Sequence, residues 1–160
     1  MKKTILFIAM LLVNHFIFAA AQNDEITEAM VLKYINEYRT QHHLKPLQMN
    51  STISQQARKH SKEMATHTVP FGHEGFKDRI AILYKQVKEP RGGAENVAYN
   101  YKSAQDVVYN WVRSPGHKQN IVGNYNLTGI GIVRDSKGKM YFTQIFLRAA
   151  VTPDTKNVSN

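Results

Sequence analysis

The sequence contains no cysteine. That one absence excludes a disulfide scaffold, a thiol nucleophile and a thiolate metal site, so the chain must hold together through its core alone. It also excludes a lipid anchor attached to a cysteine behind the leader. Repeats and low-complexity segments are missing too, and acid is scarce: 12 Asp and Glu stand against 21 Lys and Arg, a formal net charge of +9. The basic residues are scattered, with no stripe of interleaved aromatic and basic side chains, which argues against nucleic acid as a partner. A small polar ligand or an anionic envelope component suits this charge better.

What is present begins with a leader. Met1-Lys2-Lys3 is a basic start, Ile5 to Phe18 is mostly apolar, and Ala19-Ala20-Ala21 supplies the small residues that signal peptidase accepts. The apolar run is short of the roughly 20 residues of a membrane span and is interrupted by Asn14 and His15. Residues 1–21 therefore read as a signal peptide, and no membrane span is expected after its removal. Loss of Lys2 and Lys3 leaves 19 basic against 12 acidic residues, a net charge of +7. The protein is expected to be periplasmic or extracellular, with residues 22–150 as one domain and 151–160 as a loose tail. At 160 residues with 42% hydrophobic content, one packed core is affordable.

Periodicity then sets the elements. From Asp24 to His43, Ile26, Met30, Val31, Tyr34, Ile35 and Tyr38 recur at three- and four-residue steps, one face of an amphipathic helix. Lys45-Pro46-Leu47 breaks it, and Asn50 or Ser51 caps a second helix with the stripe Ile53, Ala57, His60 or Ser61, and Met64. His60 and His67 are assigned here to the surface or its boundary, and the adjacent His42 and His43 to a spacer. A turn-rich stretch from Val69 to Gly75 leads into a short helix carrying Phe76, Ile80 and Leu83 or Tyr84 inward, and Lys85 to Gly93 reads as the flexible loop of the domain. Ala94 to Tyr99 is a short strand, and Ser103 with Asp106 a modified capping box for a helix ending at Trp111.

Trp111-Val112-Arg113-Ser114-Pro115-Gly116-His117 closes one helix and opens another. Ser114 is the N-cap and Pro115 the first helical residue, where a missing N–H costs nothing. As a cap, the Ser114 hydroxyl should be occupied by backbone N–H groups and so be no nucleophile. His117 falls in the first turn, where the positive helix end disfavours imidazolium. Beyond Gly123 the period drops to two. Ile130 and Ile132 alternate with Gly129 and Gly131, a strand approached closely by another element, and Asp135-Ser136-Lys137-Gly138 turns into a strand from Met140 to Arg148 that is apolar on both faces. The sum is an α+β fold of three or four helices around a small, largely antiparallel sheet, with helices on both faces.

Two imidazoles and one carboxylate lie in loops at element ends: His73, Glu95 and His117. Together they would make an open zinc-type site with a coordination position left for water. Gly93-Ala94-Glu95-Asn96-Val97-Ala98, then Trp111-x-x-Ser114-Pro115-Gly116-His117-x-x-Asn120-Ile121, then Gly129-Ile130-Gly131 and Tyr141-Phe142-Thr143-Gln144-Ile145-Phe146 resemble the CAP superfamily, also called SCP or TAPS. That family includes cysteine-rich secretory proteins, antigen 5 and pathogenesis-related proteins, and the chain looks like a small bacterial-type member.

The resemblance spans roughly residues 29–148 and implies a three-layer α-β-α sandwich. It also implies a cleft tetrad of two His and two Glu that in some members holds a divalent metal. By motif, His117, Glu95 and His73 are three of the four. Ser114 stands where the second Glu falls in the eukaryotic branch, Ala94 stands where the signature has Gly, and Glu74 is the candidate fourth ligand. Arg79 is expected to pair with a carboxylate, Asn120 to bond backbone near the short helix, Gln144 to tie the central strand to a loop, and Trp111 to anchor the core.

The function implied is that of a secreted binding or effector module whose His/Glu cleft takes a divalent metal, zinc by donor type, or a small polar ligand. The alternatives are a metal-dependent hydrolase acting on peptide or envelope substrates, with Glu95 as ligand or general base, and a lipid- or sterol-binding protein. Mass spectrometry of the exported protein is expected to give a mature N-terminus at Gln22. A retained Met1 would contradict the leader assignment.

Overall fold

The structure, a computed structural model, describes residues 27–150; the leader and the tail expected at 151–160 lie outside them. Helix α1 occupies residues 27–41. It is followed by strand β1 (Gln48–Met49), α2 (Ser51–Ala65), α3 (Phe76–Gln86), β2 (Arg91–Tyr99), α4 (Ala104–Arg113), α5 (Pro115–Ile121), β3 (Leu127–Arg134) and β4 (Met140–Arg148). The described residues therefore hold five helices rather than three or four. Among them no helix is long and apolar enough to cross a membrane.

The sheet order is β1-β3-β4-β2. β4 pairs antiparallel with both β2 and β3, and only the two-residue β1 runs parallel to its neighbour. Every residue of β4 from Met140 to Leu147 is buried, as a central strand apolar on both faces requires. Phe142 and Phe146 face a cluster with Val31 and Ile35 of α1, Val107, Val108 and Trp111 of α4, and Ile121 of α5. Ile145 and Leu147 face the other way, onto Ile53 and Ala57 of α2 and Leu83 of α3. These two cores on opposite faces of one sheet define the α-β-α sandwich.

Local chemistry explains the helix ends. Asn50 is the cap of α2, its side chain accepting from the Ile53 N–H at 3.1 Å, and Ser103 caps α4 by accepting from the Asp106 N–H at 3.1 Å. Gly129 and Gly131 are needed for closeness. A Cβ on Gly129 would fall 2.2 Å from the Ser54 nitrogen, and one on Gly131 would fall 2.1 Å from the Arg58 nitrogen. The backbone of α2 thus lies directly on β3, and Ser61 of α2 donates to the Gly131 carbonyl at 2.9 Å.

Two expectations are corrected. The stretch assigned to a loop from Lys85 to Gly93 is mostly regular: α3 runs to Gln86 and β2 starts at Arg91, leaving four residues between. Arg-Gly-Gly has poor strand propensity, and pairing of Arg91 with Arg148 and Gly93 with Leu147 overrides it. Gln144, expected to reach a loop, instead donates across the sheet to Thr128 Oγ1 at 3.2 Å.

Gly131→Ala is expected to lower unfolding free energy by about 2 kcal/mol or more, because backbone rather than a flexible side chain must give way. Gly116→Ala, with nothing within 4 Å of its added Cβ, should stay within about 0.5 kcal/mol of the parent. Urea denaturation of the two variants checks both.

Candidate functional site

The site is built around one buried carboxylate. Glu95 lies on β2 with its side chain 1% exposed, turned toward the layer of α2 and α3. Arg79, on the buried face of α3, donates from Nε to Glu95 Oε2 at 2.9 Å and from Nη2 to Oε1 at 2.8 Å, a two-pronged pair. Its Nη1 donates to the Glu74 carbonyl at 2.6 Å, so the same guanidinium fixes the loop just before α3. His73, in that loop, donates from Nδ1 to Glu95 Oε1 at 3.0 Å. A carboxylate can only accept, so this bond fixes the His73 tautomer and leaves Nε2 as its free nitrogen.

His60 completes the group from below, which corrects its assignment to the surface or boundary. It is fully buried on α2, donating from Nε2 to the Gly72 carbonyl at 2.8 Å with Glu95 Oε1 4.0 Å away. The residue before His73 is therefore tied to α2, and His73 itself to β2. The signal was in the stripe: with Ile53 and Ala57 inward, a four-three repeat brings position 60 to the same face. His67, by contrast, is exposed.

His117 enters from the α4–α5 junction. Its Nδ1 lies 2.9 Å from Ser114 Oγ. The Ser114 hydroxyl makes no capping bond to backbone N–H, contrary to expectation, because the imidazole three residues on takes it instead. Asn96 Nδ2 donates to the His117 carbonyl at 3.1 Å, and Asn120 Nδ2 donates to the Glu95 carbonyl at 3.1 Å and to Asn96 Oδ1 at 2.8 Å. Two asparagines thus lock α5 to the strand that carries Glu95. Trp111 is buried in the core as expected, its ring 6.3 Å from that of His117.

Loop 71–73, strand β2 at Val97–Tyr99 and the α4–α5 junction enclose a cleft of about 610 Å³, lined by both His73 and His117. Glu95 supports this cleft from behind without lining it, and the exposed Glu74 contributes its carbonyl to Arg79. Among the described residues no three His, Asp or Glu side chains gather as a metal-holding group. The donors that face the cleft are the two imidazoles.

Burial pushes the His117 imidazole below the ordinary histidine range, the nearby His73 adds to the effect, and the Val97 carbonyl opposes it. His60 is lowered chiefly by burial, with Arg79 adding, while its bond to Gly72 and the carboxylates of Glu95 and Glu63 oppose. Both rings thus favour the neutral form at neutral pH. For His117 the direction agrees with expectation, but desolvation rather than the helix end is the leading cause.

The family model described as "Cysteine-rich secretory protein family" (CAP) matches residues 32–146. The chain is 32% identical over 128 residues to an uncharacterized protein, YkwD, of Bacillus subtilis (strain 168), a match covering 75% of this chain and 46% of that protein. It thus spans less than half the length of that relative. Among solved structures, a cysteine-rich secretory protein (SAV1118) of Staphylococcus aureus is 25% identical with a TM-score of 0.66, covering 78% of this chain and 39% of that one. An extracellular SCP-domain protein of Bacillus anthracis superposes at a TM-score of 0.68 and 22% identity, covering 78% and 41%.

Glu95→Gln leaves the Arg79 charge buried and half-paired, so a loss of about 3–5 kcal/mol is expected in chemical denaturation. The pH dependence has a definite sign. A histidine whose folded pKa lies below the unfolded 6.5 binds its proton first in the unfolded chain, so stability is lost as pH falls through about 6.5 toward the lower folded value. His60→Gln, which keeps a donor for Gly72, should flatten that limb between pH 7 and 5.5. An unchanged slope would contradict the buried neutral assignment.

Proposed function

Because the chain belongs to the cysteine-rich secretory protein (CAP) family, we propose that it is an exported binding module whose cleft holds a divalent cation, or a small polar ligand, on His73 and His117. Export rests on the leader at residues 1–21. The observation that carries the binding role is that two imidazoles from separate segments line one cleft, each with Nδ1 already engaged. That leaves Nε2 of each ring to meet a ligand, which on His117 would replace the contact with the Val97 carbonyl.

The donor set fits a borderline-soft cation such as zinc better than magnesium or calcium, which take oxygen ligands. Two protein ligands fall short of a closed structural site, so water or a bound ligand would fill the other positions and affinity would be modest. When bound, the ion would supply a positive charge to polarise a ligand oxygen. The chain's own residues do the rest. Glu95 orients His73 through Nδ1, as an outer carboxylate does behind a metal-binding histidine, and Arg79 holds Glu95 in place. Ser114 orients His117. Burial keeps His117 neutral and therefore able to donate a lone pair.

Binding is favoured over metal-assisted hydrolysis because the general base in that scheme was Glu95. Both of its oxygens are bonded to Arg79 and its side chain is 1% exposed, so it has neither a free lone pair in the cleft nor access to a substrate proton.

Zinc calorimetry on chelator-treated protein tests the proposal. One equivalent should bind to the parent, and His73→Ala with His117→Ala should abolish uptake while leaving a cooperative melt. A double variant that binds zinc as the parent does would show that the imidazoles are not the site.

A further inference from the structure

We propose that the cleft receives an extended, acid-bearing peptide segment as an added strand on the free edge of β2. Among the described residues, sheet order makes β2 an edge strand, paired only with β4. The Asn100 N–H donates to the Met140 carbonyl at 2.8 Å, and Tyr99 is opposite Tyr141. In an antiparallel ladder this places the even-numbered residues of β2 in the bonded positions toward β4. The backbone groups of Glu95, Val97 and Tyr99 then point away from the sheet.

The protein closes its other open edge positions. On β3 the Ile130 N–H donates to Ser54 Oγ at 3.4 Å and the Ile132 N–H to Glu28 Oε1 at 3.1 Å. On β2 the Glu95 carbonyl is taken by Asn120. The Val97 carbonyl meets the His117 imidazole, but the N–H groups of Val97 and Tyr99 have no partner among the described residues, and those two residues line the cleft. An uncovered strand edge is a template for pairing, and here it forms part of the wall of a pocket large enough for a short segment.

The side chains around that edge select the occupant. Phe71 and Tyr99, 51% and 45% exposed, pack with ring centroids 4.9 Å apart beside the edge, an apolar platform for alternate side chains of an added strand. The cationic residue of the lining is Arg113, and among the described residues no Asp or Glu lines the cleft. An incoming carboxylate therefore finds one guanidinium and no competing acid on the rim. Strand addition uses backbone bonds for affinity and the rim for selectivity, and it does not depend on a metal in the site.

The test is fluorescence polarisation of chelator-treated, full-length mature protein against an array of labelled pentapeptides, with and without one Asp or Glu. Acid-bearing peptides should bind, and N-methylating successive amides of the best binder should weaken it about tenfold or more at alternate positions and less than about twofold between them. Val97→Pro removes one outward N–H and no sheet bond, and should cost about tenfold. Arg113→Gln should weaken acidic peptides and leave neutral ones unchanged. Should Val97→Pro fail to fold, the N-methyl pattern decides alone. An array without binders, equal binding of acidic and neutral peptides, or N-methyl losses without the two-residue period would overturn the proposal. So would displacement of the peptide by oligogalacturonate with no peptide selectivity, or a concentration-dependent dimer that Val97→Pro abolishes, which would mean that the edge pairs with a second copy. Because the protein is metal-free throughout, failure here leaves the zinc result untouched.

Discussion

The pairing of Arg79 with Glu95 is the contact on which the site depends. One guanidinium, buried on α3, satisfies both oxygens of a carboxylate on β2 and the carbonyl of Glu74 as well. Removing either charge would strand the other away from water, where an uncompensated ion costs several kcal/mol. The pair therefore does more than stabilise: it specifies where the 71–75 loop sits relative to the sheet, and with it where His73 faces. His60 repeats the constraint from α2 through the Gly72 carbonyl. The connection between α2 and α3 is thereby held at Gly72, His73 and Glu74 by buried polar groups, with no disulfide to do so.

The opposite wall is held by different chemistry to the same end. Asn96 and Asn120 form a closed set of amide bonds that joins α5 to β2. Arg39 adds a clamp from α1, its guanidinium donating to the carbonyls of Ile121, Gly123 and Tyr125 where α5 ends. Positive charge at a helix C-terminus is favourable, and with the Lys45 carbonyl at Nε, four carbonyls satisfy the donors of this buried guanidinium. The consequence is rigidity on both sides of the cleft, which suits a site whose two imidazoles must keep their separation to act together. A strand floor with uncovered backbone between such walls is preorganised to receive something extended.

Much of this was legible in the residues. The two-sided apolar alternation of Met140 to Leu147 placed β4 at the centre, and Gly129 and Gly131 announced the close approach of another element, which the fold identifies as α2. Ser103 announced the start of α4. These features are local, and each follows from period, size or a capping oxygen. What escaped was non-local. Nothing near His60 in sequence reveals that Gly72 and Glu95 surround it, and a histidine on a helix with Arg58, Lys59 and Lys62 around it resembles a surface residue. The expected pairing of Arg79 with a carboxylate was correct in kind, but its consequence, that Glu95 has no oxygen left for the cleft, required the fold. Ser114 shows a competition that spacing cannot resolve: a hydroxyl at an N-cap can serve backbone N–H or an imidazole one turn on, and here the imidazole wins.

The central claim is that His73 and His117 act as one ligand-binding pair while Glu95 stays behind them. Long-range proton–nitrogen NMR of the imidazole rings during a zinc titration tests it most directly. The account predicts that Nε2 of both rings shifts together and saturates at one equivalent, with Nδ1 of His73 remaining protonated against Glu95. A response confined to one ring, or loss of the His73 Nδ1 proton on binding, would contradict it.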